Sequence, residues 1–201
     1  MKLLHIDASI LGHNSVSRQL STTIVERMRS VHPALQVRYI DLAREPLDHL
    51  TAAHLAARGG TPDATTVSAD LRRDRQVLED FLAADIIVIG APMYNFSIPS
   101  QLKAWIDRIA VAGETFRYTE NGAEGLAGAK KVIVASTRGG YYGGQSPAVR
   151  LDHQEQYLRA LFGFLGITDL TFVRAEGLNI GPEQRAAGIA AATAQAAQLS
   201  A

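Results

Sequence analysis

Apolar positions along this chain fall into two alternating rhythms. Short, solidly apolar runs are followed by stretches in which apolar residues recur every three or four positions. Residues 2–6 read as a buried strand ended by Asp7. Leu20, Ile24, Val25 and Met28 then recur at helical spacing and predict a helix over about 17–31. His32-Pro33 stops it, because the residue before a proline is pushed out of the helical region. Residues 36–41 alternate around Val37, Tyr39 and Ile40 and read as a second strand. Ile86-Ile87-Val88-Ile89 is the clearest strand, apolar on both faces as a central parallel strand covered by helices must be. Val132-Ile133-Val134 and residues 170–174 complete five strands. Helices are expected near 52–57, over the stretch bearing Leu71, Val77, Leu78, Phe81 and Leu82, through Leu102, Trp105, Ile106 and Ile109, around 149–165, and after Pro182. Residues 42–69, with Pro46, Gly59, Gly60 and Pro62, read as an irregular excursion around the short helix.

Strands that alternate with helices predict a single α/β domain over 1–201, a five-stranded parallel sheet with helices on both faces. Such sheets bind ligands beyond the carboxyl ends of their strands, where the strand order reverses. The loops after the first, third and fourth strands are therefore the places to look.

The first of these loops carries Ser9, Ser15, Val16 and Ser17 and opens a helix. A helix N-terminus presents unpaired N–H groups and the positive end of its dipole, which favour a phosphate. One serine suffices to cap a helix, and three exceed that need. Neither a P-loop nor a G-x-G-x-x-G fingerprint is present. The second loop, Met93-Tyr94-Asn95-Phe96, places two aromatics and a methionine directly after the central strand, which suits a flat apolar ligand such as an isoalloxazine. It is equally readable as local core. The third loop, Thr137-Arg138-Gly139-Gly140-Tyr141-Tyr142, has paired glycines that permit close approach of backbone to ligand. Arg138 can act on such a ligand electrostatically or simply pair with a carboxylate.

Charge and composition narrow the class. Lys+Arg and Asp+Glu are 20 each, so the net charge of zero leaves no footprint for nucleic acid or an anionic membrane. The absence of cysteine excludes disulfides and thiolate metal sites, and it suits the cytoplasm. No signal peptide or membrane span is expected. His5, His13 and His153 read as structural or solvated, and no catalytic side chain or metal ligand is assigned.

Met93-Tyr94-Asn95-Phe96 followed by Gln101-Leu102-Lys103 resembles the FMN-dependent NADH-azoreductases. Phe116-Arg117-Tyr118-Thr119-Glu120-Asn121-Gly122, Arg138-Gly139-Gly140, Gly166-Ile167-Thr168-Asp169 and Ala175-Glu176-Gly177 resemble them too, in the same order along the whole chain. The resemblance implies a flavodoxin-like fold, one noncovalent FMN per subunit, and a homodimer with its active sites at the interface. It implies FMN contacts at Ser9, Ser15, Val16, Ser17, Met93, Tyr94, Asn95, Phe96, Thr137, Arg138, Gly139 and Gly140. It also implies a ping-pong reductase that takes electrons from NADH or NADPH and passes them to quinones or azo compounds. Phe96, Phe116 and Tyr118 are expected at the acceptor, the last two on one face of a hairpin turning at Asn121-Gly122. Tyr141-Tyr142 depart from the residues expected after the paired glycines. The rival reading is a flavodoxin-like electron carrier with no acceptor pocket. The neutral charge and the aromatic hairpin speak against it.

Overall fold

A computed structural model of the chain describes residues 1–58 and 69–200. Residues 59–68 of the expected excursion over 42–69, with Gly59, Gly60 and Pro62, lie outside these described residues. Five strands form one parallel sheet: β1 (Lys2–Asp7), β2 (Gln36–Asp41), β3 (Ile86–Pro92), β6 (Lys131–Thr137) and β7 (Asp169–Ala175). Their order is β2-β1-β3-β6-β7. The chain leaves β1 toward one edge and crosses back to β3, so the order reverses between β1 and β3. β4 (Phe116–Thr119) and β5 (Gly122–Gly125) form a separate antiparallel hairpin.

The sheet buries apolar residues on both faces, which explains the solid runs in the sequence. On one face Leu3, Val88, Ile133 and Val173 pack against α1 (Val16–Val31) and α6 (Pro182–Ala197). On the other, Leu4, Ile6, Ile87, Ile89, Val132 and Val134 pack against α3 (Ala69–Ala83), α4 (Ser100–Ile109) and α5 (His153–Phe164). Trp105 of α4 is fully buried and meets Phe81 of α3 edge-on at 6.0 Å. The short α2 (Ala52–Arg58) precedes the undescribed residues.

Pattern and structure differ at several ends. The third and fourth strands run on to Pro92 and Thr137, so Ser136 and Thr137 are strand residues rather than loop residues. Their extra length is ladder pairing, Ala91 with Ser136 and Pro92 with Thr137, which no local pattern reports. The helix expected around 149–165 divides into a 3-10 turn, Pro147–Leu151, and α5, which Asp152 caps through its carboxylate on the Glu155 N–H. The hairpin turns one residue early. Thr119 pairs with Gly122, leaving Glu120 and Asn121 as the central residues and Gly122 (φ 110°) in the strand.

Candidate functional site

The loops after β1, β3 and β6 come together at the carboxyl edge of the sheet, around the reversal in strand order. They line a cleft of about 110 Å³ that includes Ser9, Ser15, Met93, Tyr94, Thr137 and Gly139. A roomier hollow of about 240 Å³ lies between the end of β2 and α3, at the edge of the sheet and apart from the loops after β3 and β6.

The first loop is built around the start of α1. Ser15 is extended (φ −79°, ψ 121°) and its Oγ accepts the Arg18 N–H at 3.3 Å, which fixes the helix start at Val16. Among the described residues, the N–H groups of Val16 and Ser17 donate to no protein acceptor. Ser9 and Ser15 reach the cleft. Ser17 does not line it: its buried Oγ lies behind Ser15, 3.0 Å from the Ser15 Oγ. Arg18 holds the loop in place. Its Nη2 donates to the Ser9 carbonyl at 2.8 Å while the guanidinium grips Asp41 through two 2.6 Å bonds.

A polar cluster supports this arrangement from behind. Asp7 at the end of β1 accepts the Ser21 hydroxyl at 2.7 Å and the Tyr39 hydroxyl at 3.1 Å. Burial first, then the neighbouring Asp7 carboxylate, pushes the Tyr39 phenol up to about 12. His5 is buried with its Nε2 2.9 Å from the Ser21 Oγ, whereas His13 and His153 are exposed. None of the three lines the cleft.

The second loop is a tight reversal with both central residues left-handed, Asn95 at φ 48° and Phe96 at φ 71°. Tyr94 and Ser97 exchange backbone bonds of 2.9 and 3.0 Å across it. Left-handed backbone costs a bulky residue on the order of 1–3 kcal/mol, and such strain gathers at functional sites. Neighbours hold it there. The Met93 N–H donates to the Thr137 carbonyl at 2.8 Å, and the His153 N–H to the Phe96 carbonyl at 3.1 Å. The Tyr94 hydroxyl ties this loop to the first, 3.4 Å from the Ser9 Oγ and accepting from the Ile10 N–H at 3.3 Å. The N–H groups of Asn95 and Phe96 have no protein acceptor among the described residues, and the Phe96 ring is exposed.

In the third loop the guanidinium of Arg138 turns inward. It is buried against Asp152, Glu155 and Glu176 and donates through Nε to the Ser136 hydroxyl at 3.2 Å. The carboxylate pairing read in the sequence is present in the fold, and Arg138 also borders the cleft. Glu176 also accepts the N–H groups of Tyr142 and Gly143, at 2.7 and 3.1 Å, and so shapes the loop. The N–H groups of Gly139 and Gly140 remain without a protein acceptor among the described residues. A Cβ on Gly139 would approach the Asn179 Nδ2 to 2.6 Å, so Asn179 sits where only glycine leaves room. Tyr142 meets Phe96 edge-on at 6.2 Å.

The hairpin aromatics part company. Phe116 belongs to the core, 4.6 Å from Phe164 of α5, whereas Tyr118 is 76% exposed. The expected face is shared, with the rings 5.5 Å apart, but Phe116 takes its inner side and only Tyr118 is open to a ligand or partner. Pattern reading passed over Leu178, Asn179 and Arg185, which line the cleft from the loop after β7 and the first turn of α6. Gly177 and Gly181 around that loop were the available signal.

These groups fit FMN. Unpaired N–H groups at a helix start and neutral hydroxyls suit a phosphate. Free N–H groups of a strained turn beside an exposed aromatic suit the polar edge and flat face of an isoalloxazine.

A family model described as a flavodoxin-like fold matches residues 1–199. The chain is 57% identical over 201 residues to the FMN-dependent NADH:quinone oxidoreductase 2 of Bradyrhizobium diazoefficiens, covering 100% of both chains. It is 59% identical over 193 residues to the FMN-dependent NADH:quinone oxidoreductase of Rhizobium meliloti, covering 96% of this chain and 93% of that one. Among solved structures, an FMN-dependent NADH-azoreductase from Bacillus anthracis in complex with FMN superposes with a TM-score of 0.84 at 27% identity, over 98% of this chain and 99% of that one.

Proposed function

The chain belongs to the flavodoxin-like fold family, and from that premise we propose that it is an FMN-dependent NADH:quinone oxidoreductase that also reduces azo compounds. One observation carries the reading. Three loops distant in sequence bring unpaired N–H groups, hydroxyls and an aromatic turn to one cleft at the strand ends. Relatives of 57% and 59% identity bear the quinone reductase name, and a structural neighbour bears the azoreductase name.

When bound, FMN supplies two-electron chemistry between a nicotinamide and an acceptor. The protein binds and orients. Ser9, Ser15 and the N–H groups of Val16 and Ser17 hold the phosphate. The Met93-Tyr94-Asn95-Phe96 turn presents the N–H groups of Asn95 and Phe96 to the polar edge of the ring. Gly139 and Gly140 add N–H groups from the loop after the neighbouring parallel strand β6, and Thr137 and Gly139 line the cleft. Arg138 positions this loop from within the protein. Phe96 and Tyr118 present exposed aromatic surface to a flat acceptor. No side-chain acid or base is assigned.

We also infer a homodimer. Tyr118 is exposed on a hairpin anchored by Phe116, an arrangement that a second copy would cover. The whole of 1–201 is read as one FMN-binding domain in the cytoplasm. No helix among the described residues is long and apolar enough to cross a membrane, and a cysteine-free chain suits a reducing compartment.

Two measurements test this function. Purified protein should carry one FMN per chain, read from its absorbance after denaturation. It should oxidise NADH with benzoquinone in initial-rate plots that are parallel at several acceptor concentrations, since donor and acceptor share one site. Protein that cannot be loaded with flavin would refute the reading, and intersecting lines would refute the shared site.

A further inference from the structure

The cleft contains two charged side chains, Arg138 and Arg185. Arg138 is fully buried and spent on Asp152, Glu155 and Glu176. Arg185 stands apart. It sits half-buried in the first turn of α6, donates one long bond of 3.3 Å to the Leu178 carbonyl, and forms no ion pair among the described residues.

That contrast matters because a phosphate monoester carries roughly −1.5 to −2 charge at neutral pH. The other donors at the cleft are the side chains of Ser9, Asn14, Ser15, Tyr94, Thr137 and Asn179 and backbone N–H groups, and none has a net charge. We infer that Arg185 supplies the positive charge that holds the FMN phosphate, reaching it from the start of α6, the helix packed beside α1 on the same face of the sheet. Guanidinium is suited to this task by its planar fork of donors, which matches phosphate oxygens and stays charged at every working pH. The local structure holds Arg185 ready. The Leu178 N–H donates to the Arg138 carbonyl at 3.1 Å and the Asn179 N–H to the Gly139 carbonyl at 3.0 Å, which locks the loop preceding α6 onto the glycine loop. Arg185 then closes on the Leu178 carbonyl, so its side chain rests along the cleft rather than in solvent.

This inference rests on the FMN reading, and the experiment separates the two. Apoprotein is titrated with FMN and with riboflavin, which lacks the phosphate, at low and high salt. Flavin fluorescence gives the dissociation constants of wild type, Arg185→Gln and Arg185→Lys. Arg185→Gln should weaken FMN by about tenfold or more, since a hydrogen bond to a charged group is worth at least that factor. Its riboflavin affinity should be unchanged and its salt dependence shallower, while Arg185→Lys should recover most of the FMN affinity. Unchanged FMN affinity in Arg185→Gln overturns the inference. Equal loss of FMN and riboflavin overturns it as well, because that result marks packing through Leu178. Wild-type protein that binds neither flavin overturns the cofactor reading itself.

Discussion

The Ser9 carbonyl accepts a 2.8 Å hydrogen bond from Nη2 of Arg18, nine residues on, and Arg18 is held for this by Asp41 at the end of β2. The pair lies behind the Ser9 side of the cleft, so it couples a carboxylate on the second strand to the shape of the first loop. The Arg18 hydrogen bond, foremost, holds the Asp41 carboxyl below the usual carboxylate range, and the same bond raises Arg18. A depressed carboxylate stabilises the fold above its unfolded value and loses that contribution as pH falls through its folded value. The clamp's contribution to the stability of the apoprotein should therefore hold steady down to about pH 4 and be lost below it. Asp41→Asn should bind FMN more weakly at neutral pH and lose this acid step. The FMN dissociation constant at pH 7 and apoprotein melting temperatures from pH 7 to pH 3 check both, and an unchanged constant with superimposable melting profiles would remove the clamp from the site.

Ser15 and Ser17 should differ. Ser15 lines the cleft and caps α1, whereas Ser17 stands behind it with its hydroxyl on the Ser15 Oγ. Ser15→Ala should weaken FMN by about one to two powers of ten. It should also cost about 1 kcal/mol of stability through the lost cap. Ser17→Ala should weaken FMN by about tenfold or less. Flavin titration with thermal melts of the apoproteins distinguishes the two effects, and a Ser17 variant weaker than the Ser15 variant would reverse the assignment.

Gly90 of β3 has no room for a side chain. A Cβ there would overlap the Asp7 Oδ1 and come within 3.2 Å of the Ser17 carbonyl and the Ser21 Oγ. Asp7 cannot yield easily, since it accepts from Ser21 and Tyr39. Gly90→Ala should therefore destabilise by about 1–3 kcal/mol through overpacking. That corresponds to a Tm lower by roughly 3–10 °C in a domain of this size. An unaltered melting temperature would show that the strand and Asp7 move apart at no cost.

Phe116 and Tyr118 should give opposite phenotypes. Tyr118→Ala should keep FMN and stability but change the acceptor KM, and it should weaken self-association. Phe116→Ala removes a ring packed on Phe164 and should destabilise by about 3 kcal/mol. Sedimentation of the wild type at micromolar concentration tests the dimer. A monomer with full activity would separate Tyr118 from any interface, and an unaltered acceptor profile would remove it from the pocket.

Much was legible in the chain because the signals were local. Apolar runs with no polar face mark strands covered on both sides, and Ile86-Ile87-Val88-Ile89 proves to be the sheet centre. The bounds of β2 could be read directly, since alternation between two faces is a property of six consecutive residues. The three loops stood out because their serines exceed what one helix cap needs and their aromatics and glycines fall outside the periodic apolar pattern. Side-chain direction was not legible. Arg138 follows a strand and precedes glycines in the sequence, and nothing there tells that Asp152, Glu155 and Glu176 will surround it. Likewise Arg185 looks like one more cation in an alanine-rich helix until the loop after β7 folds against Gly139. Period and turn chemistry act over a few residues, so the sequence alone determined the elements and the places to look. Burial and charge pairing join residues tens of positions apart, so only the packed sheet decided which arginine is spent inside the protein and which one faces the cleft.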